Sequence, residues 1–91
     1  MLRLTTALAL LLTAASPAQP GDATLGQALF VRNCIDCHGP TAEGDDTAPD
    51  IRGASRVMLD RALPGLDQMP EFDFSEHEIE ALRAYLATLD G

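Results

Sequence analysis

Two cysteines and a histidine lie close enough in the sequence to act together on one chemical group. Cys34, Cys37 and His38 form the pattern C-x-x-C-H. Two thiols separated by two residues can each add to one vinyl group of the same porphyrin, and this pattern is the attachment signature of c-type haem. The adjacent His38 is then held close to the iron, where its imidazole can bind from one side. The spacing therefore predicts one covalently attached haem.

Three other uses of the cysteine pair stay open from these residues alone. The pair could form a structural disulfide, or act as a thiol–disulfide redox pair, although the latter is typical of a βαβ context that this chain lacks. It could also supply half of a zinc site, which needs four ligands. His77 is the one other histidine and there is no third cysteine. We favour haem attachment, because an export signal at the N-terminus and a core too small for the domain agree with it.

A haem bound by one histidine has either a second side-chain ligand or an open position on the other face of the iron. Methionine and histidine are the usual second ligands. Met69 precedes Pro70 in a segment without helical pattern, and we predict that it is the distal ligand; a gap-filling role is its alternative. Met58 lies at helical spacing and is expected to pack in the core. His77, in an acidic first helical turn, is expected to face solvent.

The element that precedes the cysteines is a predicted helix. It begins near Thr24, which forms a capping box with Gln27, and runs to about Asn33. A loop over 39–53, rich in Gly, Pro, Asp and Thr, follows the C-x-x-C-H motif. A loop of this length in a small domain is usually functional.

Two further helices are predicted downstream. Ser55 caps a short helix over 56–63, and residues 66–74 form a second irregular segment. Ser75 and Glu78 form the capping box of the last helix. One apolar stripe runs along that helix: Ile79, Leu82, Tyr85, Leu86 and Leu89. Because no segment alternates as a strand does, we expect an all-α fold.

Length and charge narrow the classes of protein. The chain has 91 residues, enough for one small domain, and its 14 acidic and 6 basic residues give a net charge of −8. Nucleic acids and anionic membranes bind cationic protein surfaces, and an acidic chain lacks such a surface. No nucleic-acid partner is therefore expected. A domain of this size is marginally stable without disulfides, a metal or a cofactor, and two cysteines are too few for a disulfide scaffold.

The N-terminus has the form of a secretory signal peptide. Arg3 gives a positive start, residues 4–15 are an apolar run, and 16–18 (SPA) supplies small residues for a signal peptidase. The apolar run is shorter than the roughly 20 residues of a membrane span, so no stable membrane anchor is expected after cleavage. We predict a signal peptide over 1–18 and a periplasmic domain over 19–91; cleavage two residues earlier and an uncleaved helix are the alternatives.

The motifs and their order resemble those of the small class I c-type cytochromes of bacteria, over about residues 22–90. The run G-x-x-x-F-x-x-x-C-x-x-C-H-G over 26–39 matches the first helix and haem site of that family. P-x-I-x-G over 49–53 is similar to its P-x-L-x-G loop, Met69-Pro70 resembles its axial-methionine loop, and L-x-x-Y over 82–85 resembles its C-terminal signature. The C-x-x-C-H pattern is shared by many haem proteins, but the four motifs in this order are much more specific.

The resemblance implies a role for each position of the site. Cys34 and Cys37 would carry the thioethers. His38 would be the proximal iron ligand and Met69 the distal one. The carbonyl of Pro49 would accept the ring N–H of His38, which fixes the orientation and the basicity of the imidazole.

The resemblance also implies structural roles. Gly26 would let the first and last helices cross closely against Leu82 and Tyr85, and Phe30 would pack at the same crossing. Arg52 and Arg56 are candidates for binding the haem propionates, with solvated surface charge as the alternative.

The implied fold is cytochrome c-like, with three or so helices around one covalently attached haem c and its iron. The implied function is one-electron transfer, and six-coordinate iron would exclude substrate, so a carrier rather than an enzyme is expected. If Met69 does not bind, a five-coordinate haem could bind a diatomic gas or a peroxide. A dedicated electron-transfer subunit of a dehydrogenase is a third possibility. Redox proteins are the predicted partners, and the acidic charge favours those with a basic docking surface.

Overall fold

The computed structural model describes residues 22–89, and this part of the chain contains helices and no strands. The elements in chain order are α1 (Ala23–Asn33), α2 (Ile35–His38), α3 (Arg56–Ala62) and α4 (Glu76–Thr88). The predicted all-α fold is confirmed. The predicted signal peptide, residues 1–18, lies outside the described residues. Within residues 22–89, no helix has both the length and the hydropathy that crossing a membrane requires.

The N-cap of helix α1 lies two residues earlier than predicted. Asp22 is the N-cap, and its Oδ1 accepts hydrogen bonds from the backbone N–H of Thr24 (3.0 Å) and of Leu25 (3.3 Å). The predicted capping box of Thr24 and Gln27 is therefore wrong. A carboxylate at the N-cap satisfies free N–H groups and also places negative charge at the positive end of the helix dipole.

The predicted caps of α3 and α4 are confirmed. The hydroxyl of Ser55 accepts the N–H of Met58 (3.2 Å). At α4, Ser75 accepts the N–H of Glu78 (3.1 Å), while the Glu78 carboxylate accepts the N–H of Ser75 (2.8 Å). These bonds satisfy N–H groups that have no partner inside their own helix.

Helices α1 and α4 cross closely because residue 26 has no side chain. A Cβ placed on Gly26 would overlap the carbonyl oxygen of Ala81 and lie 2.8 Å from the Cβ of Tyr85. The predicted close crossing is confirmed, but Ala81 occupies the position that we expected for Leu82. Phe30 is completely buried beside it, with its ring centroid 5.5 Å from that of Tyr85.

Backbone hydrogen bonds fix the two irregular segments to the helices. The N–H of Gly53 donates to the carbonyl of Leu86 on α4 (2.8 Å), and the N–H of Phe72 donates to the carbonyl of Leu63 after α3 (2.7 Å). Both segments therefore border a small apolar core. Its buried members are Leu29, Phe30, Ala42, Ala54, Leu59, Leu63, Leu82 and Leu86.

Candidate haem site

A cavity of about 810 Å³ is lined by residues of the helices and of the segments between them. All four helices and both irregular segments contribute to its wall, and its volume is within the range of small-molecule and cofactor sites. The wall includes all five residues that the sequence predicted for the site: Cys34, Cys37, His38, Pro49 and Met69. Residues that are up to 35 positions apart in the sequence thus face one space.

His38 enters this cavity from α2 with one ring nitrogen already engaged. Its Nδ1 lies 2.9 Å from the carbonyl oxygen of Pro49, and its side chain is buried. A carbonyl oxygen can only accept a hydrogen bond, so Nδ1 carries the proton. Nε2 then keeps its lone pair and is available to a metal ion, as in metal-bound histidines whose other nitrogen is hydrogen-bonded.

The two thiols differ in exposure. Cys34 is half-buried and Cys37 is exposed, and both are free cysteines. Burial, with a smaller contribution from Cys37, raises the pKa of Cys34 to about 11, so this thiol is protonated at neutral pH. Within residues 22–89, no three His, Cys, Asp or Glu side chains are grouped to hold a metal ion.

Met58 and Met69 both line the cavity. Met69 is half-buried, packs against the core and lies in irregular backbone between α3 and α4. Met58 is 55% exposed, so the expectation that it packs in the core is wrong. The reason is that α3 buries only Leu59, which leaves the neighbouring Met58 outside the core and on the cavity wall.

His77 is not part of the cavity wall. The expectation that it faces solvent is wrong, because the residue is only partly exposed and its Nε2 is buried without a hydrogen-bond partner. Its place in the first turn of α4 did not indicate this, since burial there depends on packing by residues distant in sequence.

The two arginines expected to bind propionates are paired elsewhere and do not line the cavity. Arg52 forms an ion pair with Asp50 (2.7 Å), whose hydrogen bonds lower the pKa of that carboxyl to about 2. Arg56 binds three carboxylates, one on α3 itself and two on α4, and they raise its pKa further above its ordinary value. Its partners are Asp60 at 2.8 Å, Glu76 at 2.7 Å and Glu80 at 3.1 Å.

Arg61 is the arginine that lines the cavity. In the described part of the chain it has no ion pair, unlike Arg52, Arg56 and Arg83. Sequence reasoning missed Arg61, although its spacing of three residues from Met58 places both on one face of α3. The site thus contains two thiols, an imidazole nitrogen, two thioethers, one cation and the carboxylates of Asp46 and Asp67 around a largely apolar space.

Comparison with known proteins agrees with the prediction of a c-type cytochrome. Residues 21–86 match the family described as "Cytochrome C oxidase, cbb3-type, subunit III". The chain is 35% identical over 78 residues to a "Cytochrome c-553-like" protein of Synechocystis sp., a match that covers 79% of this chain and 73% of that protein.

A second relative is a longer protein. The chain is 30% identical over 88 residues to "Cbb3-type cytochrome c oxidase subunit FixPc" of Rhizobium leguminosarum bv. viciae, covering 84% of this chain and 31% of the relative. No solved structure is significantly similar to the chain. The chain belongs to the cbb3-type cytochrome c oxidase subunit III family, as a small monohaem c-type cytochrome with covalently bound haem c and its iron, a class of protein that transfers electrons.

Proposed function

We propose that this cytochrome is a periplasmic one-electron carrier whose iron is bound by His38 and Met69. One observation carries the proposal: a single cavity brings together both thiols of the C-x-x-C-H motif, an imidazole with a free Nε2 and the sulfur of Met69. Cys34 and Cys37 would each form a thioether by adding their S–H to a vinyl group of the porphyrin.

The protein's own residues would set the properties of the redox centre. When bound, haem supplies an iron that gains or loses one electron. The Pro49 carbonyl, by accepting the Nδ1–H of His38, makes the imidazole a more basic ligand. The thioether of Met69 favours the reduced iron and raises the potential. The apolar wall, with Leu59 and Leu82 among its members, limits water and also favours the less charged state.

Arg61 would complete the site from α3. Haem carries two propionates, and a buried or partly buried carboxylate is stabilised by a nearby cation. Arg61 is on the cavity wall and has no ion pair with any described residue. Its guanidinium is therefore available to a propionate, with the fork geometry that suits carboxylates.

The location and partners of the protein belong to the same proposal. The signal-like sequence over 1–18 supports export, which would leave a domain over 19–91 in the periplasm without a stable membrane anchor. Its partners would be redox proteins with a basic docking surface, because the domain is strongly acidic. The chain would act as a carrier and not as an enzyme, since binding by both His38 and Met69 would leave the iron no position for a substrate.

Haem attachment through both cysteines tests the foundation of the proposal. The double variant Cys34→Ala/Cys37→Ala should carry no haem after denaturing electrophoresis. Its chain should be largely unfolded, because no covalently attached haem would fill the cavity. Absorption spectra of the wild-type holoprotein, oxidised and reduced, test thioether haem and methionine ligation together. Haem retained by the double variant through denaturing electrophoresis would show that the assignment is wrong.

A subunit role is the second candidate function. The similarity to a subunit of a cbb3-type oxidase favours it, although this chain spans only 31% of that relative. A carrier should purify alone, whereas a subunit should purify in fixed ratio with an oxidase or a dehydrogenase. Affinity purification of the tagged chain from its own cells, followed by a search for flavin or further haem, distinguishes the two.

A further inference from the structure

The segment 42–51 contacts His38 at two points. The N–H of Gly44 donates to the backbone carbonyl of His38 (2.8 Å), and the carbonyl of Pro49 accepts the Nδ1–H of the His38 ring (2.9 Å). The segment is closed at its base by a hydrogen bond from the N–H of Ile51 to the carbonyl of Ala42 (2.9 Å). Its conformation therefore determines where the acceptor for the imidazole lies.

Gly44 packs directly against that acceptor. It has a φ of +75°, and a Cβ at this position would lie 2.5 Å from both the carbonyl carbon and the carbonyl oxygen of Pro49. The Pro49 carbonyl is thus confined between the backbone of Gly44 on one side and the ring of His38 on the other. Pro49 has no N–H of its own to donate, so no hydrogen bond from its backbone nitrogen helps to hold this carbonyl in place.

Asp45 holds those preceding residues in a tight turn. Its Oδ1 accepts from the Thr47 N–H (2.7 Å), the Thr47 hydroxyl (2.8 Å) and the Ala48 N–H (3.1 Å). Its own N–H donates to the carbonyl of Ala48 (2.8 Å). These bonds, that from the Thr47 hydroxyl first, lower the pKa of the Asp45 carboxyl. Four hydrogen bonds therefore link Asp45 to the two residues that directly precede Pro49.

We propose that Asp45 is a positioning residue for the iron ligand His38, acting through the turn over 45–48 and the Pro49 carbonyl. The inference rests on the proposed ligation by His38. Loosening the turn weakens the hydrogen bond from Nδ1, which makes the imidazole less basic. A less basic ligand stabilises ferric iron less than before, so the reduction potential rises.

Three variants distinguish the effect of the turn over 45–48 from the effect of the Asp45 charge. Asp45→Ala removes both, Asp45→Asn removes the charge but keeps an Oδ1 acceptor, and Thr47→Val removes one hydrogen bond without changing charge. Asp46→Asn is the matched charge control, because Asp46 is exposed and makes no hydrogen bond with a described residue. All four are studied as holoproteins, by redox titration and by NMR of the His38 Nδ1–H.

The Asp45→Ala holoprotein should exchange the Nδ1–H roughly tenfold faster than wild type. At a fixed ambient potential it should favour ferrous iron about threefold more than the Asp45→Asn holoprotein does. The Thr47→Val holoprotein should shift both readouts in the same direction by less, and it keeps the test decisive if the Asp45→Ala chain does not fold. The Asp46→Asn holoprotein should change the potential alone and leave Nδ1–H exchange as in wild type.

Equal potentials and unchanged Nδ1–H exchange in the Asp45→Ala, Asp45→Asn and Asp46→Asn holoproteins would overturn the positioning role, because charge alone would then explain every shift. That result leaves the proposed function standing. A wild-type holoprotein whose spectrum lacks histidine ligation would instead refute the proposed function, and is visible before any variant is made.

Discussion

Under the proposed ligation, the sulfur of Met69 would close the iron to exogenous ligands. Replacing it in Met69→Ala should abolish the sulfur-to-iron charge-transfer band of the ferric protein and lower the potential, because a thioether stabilises the reduced state. The altered haem should then bind carbon monoxide or cyanide readily. Absorption spectroscopy and redox titration measure these changes.

Met58→Ala is the control, since both methionines line the same cavity. It should keep the charge-transfer band and the potential. The opposite pattern, with the band lost only in Met58→Ala, would transfer the ligand assignment to Met58. A band retained in both single variants would remove methionine ligation from the proposal altogether and favour the five-coordinate alternative.

Arg61 gives a second test at this scale. If Arg61 binds a propionate as proposed, removing its charge in Arg61→Ala should lower the reduction potential, by the equivalent of up to about 1 kcal/mol, because ferric iron would lose a nearby cation. Arg61→Lys should retain most of the wild-type value. Arg32→Ala removes the same charge from an exposed residue outside the cavity wall and should change the potential less. Equal shifts in Arg61→Ala and Arg32→Ala would exclude a specific role for Arg61.

The chemistry of single residues was predictable where it depends on sequence spacing. Cys34, Cys37 and His38 are neighbours in the chain, so the motif brings them together without long-range packing. Which arginine is available to a propionate was not predictable. Arg52 is paired with Asp50, and Arg56 is paired with carboxylates of α4 that are distant from it in the sequence. Which cation remains available is a property of the packed structure.

At the scale of helices, the crossing of α1 and α4 depends on one missing side chain. Gly26→Ala should destabilise the protein by roughly 1–3 kcal/mol, because the new methyl group overlaps the carbonyl of Ala81 and the helices must separate. Gln27→Ala is the control on the exposed face of the same helix and should be nearly neutral. Denaturant unfolding of the holoproteins measures the difference. A Gly26→Ala protein as stable as Gln27→Ala would mean that the crossing can relax at no cost.

The loop that follows Pro49 should make stability depend on pH. Hydrogen bonds from Arg52 depress the pKa of Asp50 from 3.8 to about 2, so folding favours the ionised form. The stability contributed by this pair is complete above the unfolded value and is lost as the pH falls from about 4 towards 2.

Unfolding free energies of wild type and Asp50→Asn, measured over this pH range, check the prediction. Wild type should be the more stable protein at neutral pH, and the difference should shrink as the solution is acidified. Because both side chains are partly exposed, added salt should also reduce the difference. A difference that is constant with pH would show that the pair adds no stability through ionisation.

Element boundaries were predictable where a local signal was strong. Ser55 and Ser75 cap their helices as expected because each bonds to residues within the next turn. The cap of α1 was assigned to Thr24, since its spacing to Gln27 imitates a capping box, whereas Asp22 takes that role. The short α2 was not predicted, because a four-residue turn of helix has no apolar period to recognise.

At the scale of the whole molecule, the dominant property is negative charge. Without residues 1–18 the chain keeps 5 arginines and all 14 acids, a net charge of −9. Two acids, Asp46 and Asp67, line the cavity and are exposed, as are the apolar residues Met58 and Leu66. A partner that approaches the cavity therefore meets both negative charge and apolar surface.

This charge should act on the rate of encounter more than on the lifetime of a complex, since electron-transfer complexes are small and short-lived. Stopped-flow electron transfer to a basic redox protein should slow as ionic strength rises, because salt screens attraction between exposed charges. Transfer to an acidic redox protein should accelerate over the same series.

The double variant Asp46→Asn/Asp67→Asn should weaken the salt dependence with the basic protein, because it removes two charges beside the cavity. Asp73→Asn is the control, because Asp73 is exposed, lies outside the cavity wall and has no described ion pair. Asp60 and Glu76 are unsuitable as control positions, since both bind Arg56. A transfer rate to the basic protein that stays flat or rises with salt would exclude steering by the acidic surface.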